Sequence, residues 1–353
     1  MSSRSSSVSG SGPGMSRSAQ AGVWTPGTPI LEVRDLHVSY GTPRGPLGAV
    51  DGVDFDLHAG ESLGLVGESG CGKSTLGRGL MSLLPPGGAV SGSVRLKGEE
   101  LLGAGARRLR RARGEDLALV FQEPMTRLNP VMRVSGHFIE TIRAHRPDVS
   151  KERALQMGRE ALAQMGIPPT RIGNYPHEFS GGMRQRIMIA LGIVLRPAVI
   201  IADEPTTALD VIVEAQILDL LDRMRADEQV GLVLITHNLG IVAETCDRVA
   251  VMYAGRIVEI GPIDQVFIDP RHPYTQGLLR SVISLDTTEL SSIDGTPPDL
   301  VDPPRGCRFE PRCPVAFGDC PVVDPVLGQV APGQRAACLL HDAAYPRGRS
   351  VAS

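Results

Sequence analysis

Several kinds of residue are scarce in this chain, and each scarcity excludes something. Aromatic residues make up 4% of it, with one tryptophan, which argues against the stacking platforms that bind single-stranded nucleic acid. The 36 basic and 39 acidic residues leave a formal charge of −3, so no basic excess draws in a polyanion. Lysine occurs only at Lys73, Lys97 and Lys151, which makes each of the three informative. No run reaches the roughly 18 apolar residues that a membrane helix needs. The nearest, Ile187 to Leu195, is cut by Arg196 and Pro197. The first twenty residues hold nine serines and three glycines with no apolar stretch, so no secretory signal is expected. The chain is expected in the cytosol, or beside a membrane through a partner. Six cysteines in such a chain are not expected to form structural disulfides.

What is present fits a folded protein of about two domains, with 353 residues and 42% hydrophobic content. Residues 1–28 are rich in Ser, Gly and Pro and read as a disordered tail, within which Met15 is a second possible start. Strand patterns follow from Ile30, at Ala49 to Leu57 and at Ser62 to Val66. A helix from Lys73 to Leu84 stops at Pro85 and Pro86. Val90 to Lys97 and Leu117 to Phe121 read as strands, whereas 131–195 has helical spacing through Leu155, Leu162 and Met165. Strands return at Val199 to Ala202, Leu232 to Thr236 and Arg248 to Tyr253, with a helix from Val211 to Ala226. Alternating strands and helices predict a parallel sheet with crossover helices. Residues 29–262 form the expected main domain; 263–353 is Pro-rich and irregular, apart from a helix at Tyr274 to Leu285.

Two acidic and glycine-rich stretches carry chemistry. Gly67-Glu68-Ser69-Gly70-Cys71-Gly72-Lys73-Ser74-Thr75 follows a strand and opens a helix, the context of a phosphate-binding loop. Its glycines let backbone N–H groups turn inward at a helix N-terminus. Lys73 can reach the β- and γ-phosphates of a nucleotide, and Ser74 can offer a hydroxyl to Mg²⁺. An apolar strand then delivers Asp203 and Glu204 at its C-terminal end, the edge where open α/β sheets bind ligands. Asp203 is the expected Mg²⁺ carboxylate and Glu204 the group that polarises an attacking water. The arginine run from Arg107 to Arg113 reads as a solvated helix face and not as a nucleic-acid surface.

Ser180-Gly181-Gly182-Met183-Arg184-Gln185 resembles the signature motif of the ABC ATPases. Gln122 stands at the Q-loop position, Ala208-Leu209-Asp210 at the D-loop and His237 at the switch histidine, all in family order. The resemblance covers Leu31 to Gly261 and implies a P-loop α/β fold: a RecA-like parallel sheet core, an antiparallel β subdomain and a helical signature subdomain. It also implies that Gln122 helps to hold Mg²⁺ and, with Glu204 and His237, serves hydrolysis. In the family the signature closes over ATP held by the opposite subunit, so Ser180, Gly181, Gly182 and Asp210 are expected at a composite site. Tyr40 stands where members stack an aromatic on adenine, although a half-buried strand tyrosine accounts for it equally. The stretches around Phe121 to Pro130, Tyr175 to Arg186 and His272 to Leu279 look like the D-type ATPase of dipeptide/oligopeptide permeases. The implied partners are an F-type ATPase, two transmembrane permease subunits and an extracytoplasmic substrate-binding protein, with no nucleic acid. Such a subunit sits peripherally on the cytoplasmic face of the membrane. A nickel or other small-solute importer, or a soluble ABC ATPase acting on nucleic acid or ribosomes, are the rival readings. One cassette and no heptad run count against the second rival.

Cys307, Cys313, Cys320 and Cys338 crowd into 32 residues of the extension. Structural zinc favours a tighter Cys-x2–4-Cys knuckle than these gaps supply. Four thiolates on wider loops suit a [4Fe–4S] cube, which the D-type resemblance also implies; zinc or free thiols stay open.

Overall fold

The computed structural model describes residues 27–120, 128–206, 211–281 and 293–345. The chain opens with two long strands, β1 (Leu31–Thr42) and β2 (Gly45–Leu57), then a short buried strand, β3 (Ser62–Val66), and helix α1 (Lys73–Leu80). Helix α1 is shorter than the sequence suggests. Ser82 takes a left-handed φ of 51°, and Leu83 N–H turns back to the carbonyl of Arg78, so the helix closes before the prolines are reached. Next come β4 (Gly88–Leu96), β5 (Glu99–Glu100), α2 (Ala106–Glu115) and β6 (Leu117–Val120). The arginine run does lie on α2, where Arg108 pairs with Glu99 and Asp116, and Arg111 with Glu115.

Three helices fill the next stretch, α3 (Val134–His145), α4 (Lys151–Gln164) and α5 (Gly181–Ile193), as their 3.6-residue spacing requires. The α/β alternation then resumes with β7 (Val199–Asp203), α6 (Val211–Glu228), β8 (Gly231–Ile235), α7 (Leu239–Thr245), β9 (Arg248–Tyr253) and β10 (Arg256–Pro262). Helices α8 (Ile263–Ile268) and α9 (Pro273–Arg280) follow, and a hairpin of β11 (Gly328–Ala331) and β12 (Gln334–Ala336) comes near the end.

Among the described residues these strands make two sheets. One is antiparallel, in the order β2-β1-β4-β5; the other runs β11-β12-β10-β9-β3-β8-β7-β6. Within the second, β9, β3, β8, β7 and β6 are mutually parallel, so their C-terminal ends share one edge. Alternation along each strand divides the interior in two. Leu63, Leu65, Val199, Ile201, Val233 and Ile235 face the antiparallel sheet and α1, while Ile200, Ala202, Leu232 and Leu234 face the helical side.

The extension is less irregular than its proline content suggests. Its hairpin pairs Ala336 with Glu259 and Arg335 with Ile260, adding strands to the main sheet. Glu259, fully buried on β10, ties the pieces together: its carboxylate accepts from the backbone N–H of Arg271 and His272 and from Gln334 Nε2, at 2.8, 2.9 and 2.8 Å. A buried carboxylate is tolerated when its lone pairs are this well occupied. Nothing in the local sequence marks that role.

Candidate active site

Three adjacent parallel strands end together, and the loops after them build the site. The glycine-rich loop follows β3, Asp203 and Glu204 close β7, and His237 follows β8. The register Leu65↔Ile235 and Asp203↔Ile235 fixes these three ends side by side. A cavity of about 630 Å³ opens over them, lined by Ser69, Gly70, Gly72, Lys73, Ser74 and Thr75 from the loop. Glu204 and His237 line it from the strands, and Tyr40 from the antiparallel sheet.

Glycine is required at two points of the loop. At Gly67, φ is 150° and a Cβ would meet the Met252 carbonyl at 2.1 Å; at Gly72, φ is 107° and a Cβ would meet the Ala49 carbonyl at 2.2 Å. Lys73 is buried, and its ammonium donates to the carbonyls of Gly67 and Glu68 at 2.8 and 3.0 Å, closing the loop on itself. Ser74 Oγ donates to Asp203 Oδ1 at 2.8 Å. Burial raises the Asp203 carboxyl above its ordinary range against the opposing pull of Ser74, which is the setting a divalent cation would relieve. Glu204 has a left-handed φ of 47°, and its Oε1 lies 3.3 Å from His237 Nδ1. A non-glycine residue held there is strained, and the backbone bond from Glu204 N–H to the Ile235 carbonyl helps to sustain it.

Not every expected residue faces this cavity. Cys71 is buried against Gly67, and its N–H is spent on the Glu68 carbonyl at 3.3 Å. The Glu68 side chain turns away, toward the extension, where Arg312 takes both carboxylate oxygens. Ser180, Gly181 and Gly182 do not line the cavity; Ser180 caps α5, accepting from Met183 N–H. Gln122 and Asp210 lie outside the described residues. Sequence reasoning missed buried Gln185, whose Nε2 donates to the Pro205 carbonyl at 2.8 Å and links α5 to the loop after Glu204. Its position in the Ser180–Gln185 motif is the signal that marks it. A second cavity, of about 510 Å³, lies between the antiparallel sheet and the extension, where Asp51, Arg256, Arg308 and Asp324 neutralise one another.

Residues 50–207 match the family described as ABC transporter, and residues 258–320 match the oligopeptide/dipeptide transporter C-terminal region. The oligopeptide transport ATP-binding protein OppD of Salmonella typhimurium is 46% identical over 317 residues, covering 89% of this chain and 94% of that one. The chain belongs to the ABC transporter ATP-binding family. The dipeptide transport ATP-binding protein DppD of Bacillus subtilis is 48% identical over 302 residues, 84% of this chain and 90% of its own. A dimeric bacterial ABC transporter cassette shares the fold at a TM-score of 0.60 and 23% identity, covering 66% of this chain and 99% of that one. A Clostridium perfringens cassette, part of an ABC transporter complex, gives 0.57 and 28% over 68% of this chain and 91% of that one. The two-sheet core with its helical insertion is thus an ABC ATPase fold, as the motifs imply. No helix among the described residues is long and apolar enough to cross a membrane.

The four extension cysteines do converge in this ABC ATPase. They line one cavity of about 20 Å³ together with Phe309, Val315 and Leu339. Burial pushes the Cys307 thiol up to about 11 and the Cys338 thiol up to about 12. The donor type suits iron or zinc, but the expected ligation is not seen. Among the described residues no group of three or more His, Cys, Asp or Glu is placed to hold a metal ion.

Proposed function

We propose that this chain is the ATP-hydrolysing motor subunit of an importer for di- or oligopeptides, working at the cytoplasmic face of the membrane beneath two permease subunits. The carrying observation is that Lys73, Ser74, Glu204 and His237 line one cavity in a chain that matches OppD and DppD relatives over nearly their whole length. On this reading the loop N–H groups and Lys73 bind the phosphates, and Tyr40 lies against the base. Ser74 and Asp203 would hold Mg²⁺, with Gln122, and the ion would neutralise phosphate charge. Glu204 orients a water and takes its proton as the water oxygen bonds to the γ-phosphorus and the bond to ADP breaks. His237, beside Glu204, steadies that carboxylate.

Because Ser180, Gly181 and Gly182 lie outside this cavity, the site takes a signature from another subunit, for which an F-type ATPase is the proposed partner. Asp210 would lie at that interface. Asn129 and the 81%-exposed Val131, on the segment that follows Gln122 in sequence, supply the proposed permease contact. An extracytoplasmic binding protein would choose the cargo. Uptake of a labelled dipeptide in cells lacking the transporter tests this reading: restoration by the whole gene set, and loss with Lys73→Ala, is expected. Restoration of nickel but not peptide uptake would overturn the cargo.

For Cys307, Cys313, Cys320 and Cys338 the proposed occupant is a [4Fe–4S] cluster, supported by their donor type and spacing. Anaerobic purification with iron and sulfide analysis tests it; colourless protein with one tightly held zinc overturns it.

A further inference from the structure

The structure assigns to the C-terminal extension a direct hold on the phosphate loop, with Arg312 and Tyr274 acting as positioning residues for Glu68 and, through it, for Lys73. The inference rests on the nucleotide-binding reading of that loop. Glu68 is gripped at three points. Its carboxylate accepts Arg312 Nη1 and Nη2 at 2.8 and 2.9 Å, its N–H donates to Tyr274 Oη at 2.9 Å, and its carbonyl accepts Lys73 Nζ at 3.0 Å. Two of those grips come from residues more than 200 positions away.

Both holders are themselves fixed. The Arg312 side chain is only 5% exposed; its Nε donates to the Asp294 carbonyl at 2.8 Å and Nη2 to the Ile293 carbonyl at 3.1 Å. Tyr274 is fully buried, its ring 4.6 Å from Tyr253 and 5.4 Å from Phe309. A bidentate arginine–carboxylate pair constrains direction as well as distance. Here it does two things for an anionic ligand. It holds the loop in one conformation before the phosphates arrive, so less ordering is left to binding. It also neutralises a carboxylate that would otherwise repel them.

MgATP titration by calorimetry on the full chain tests the inference. Arg312→Met is expected to weaken MgATP binding about tenfold, the scale of one charge-assisted interaction. Adding Glu68→Gln should recover part of that loss, because the stranded negative charge is then gone; a purely structural role for Arg312 predicts no such recovery. Tyr274→Phe keeps the ring and the charge pair but removes the acceptor of the Glu68 N–H, and should cost about threefold in MgATP affinity with a modest fall in Tm; it serves where Arg312→Met fails to fold. Lys73→Ala separates the two readings. If Lys73→Ala binds MgATP like the wild type, the nucleotide reading fails. If Lys73→Ala loses binding while Arg312→Met and Tyr274→Phe keep wild-type affinity, the inference alone is overturned.

Discussion

The phosphate loop and the four-cysteine cavity are both built from small, specialised residues, yet they come from the chain in opposite ways. Nine consecutive residues make the loop between a strand and a helix, and the extension adds a hold on it only at Glu68, through Arg312 and Tyr274. The cysteines come from four separated positions, and their meeting depends on β12 reaching β10 and on Glu259 anchoring the intervening turns. One cavity is about 630 Å³; the other is about 20 Å³. Local motifs build accessible sites, whereas dispersed residues need a complete tertiary frame before they have a site at all.

The sharpest way to probe the first region is Glu204→Gln. Removing the proton acceptor is expected to lower ATP turnover by about 10²–10³-fold while MgATP binding persists, because proton transfer to a positioned base contributes on that scale. Phosphate release and nucleotide retention in the assembled complex measure the two together. The second region breaks at its anchor. Glu259→Leu strands three buried donors and should destabilise the protein by about 3 kcal/mol, with faster alkylation of the cysteines and a smaller loss of MgATP binding through the loosened Tyr274 and Arg312. Equal loss of MgATP binding would show that the regions are less separable than the comparison holds.

Within the loop itself, two glycines should behave differently. Gly67→Ala drives a Cβ into the Met252 carbonyl and is expected to cost about 2 kcal/mol. Gly70→Ala meets nothing within 4 Å and carries only the strain of its 79° φ, about 1 kcal/mol. Thermal melts of the pair read the difference. The smallest effect lies outside both regions. Burial alone would raise the Asp116 carboxyl, but Lys97 and Arg108 outweigh it and hold the group below its usual range. Its contribution is therefore present above about pH 4 and is lost as pH falls through the depressed folded value. Asp116→Asn should cost under about 1 kcal/mol at pH 7, a deficit that vanishes in acid denaturation curves.

The sequence by itself determined the strands and motifs whose cause lies in residue type and spacing. Continuous apolar runs at Val199–Asp203 and Gly231–Ile235 marked buried parallel strands, and glycine spacing before Lys73 marked the phosphate loop. Glu204 and His237 were each expected at the nucleotide site from the motifs, and the structure puts them 3.3 Å apart. Helix ends were less legible: α1 stops at Leu80 because Ser82 adopts a left-handed turn, a choice made by backbone hydrogen bonds and not by residue type. Only the tertiary structure decided that the Pro-rich extension would add two strands to the core sheet. It alone decided that Glu259 would anchor that extension and that Arg312 would cross 244 positions to clasp Glu68. Those contacts have no periodicity to read: a charge pair across such a separation is specified by where two folded surfaces meet, and sequence spacing carries no record of that distance.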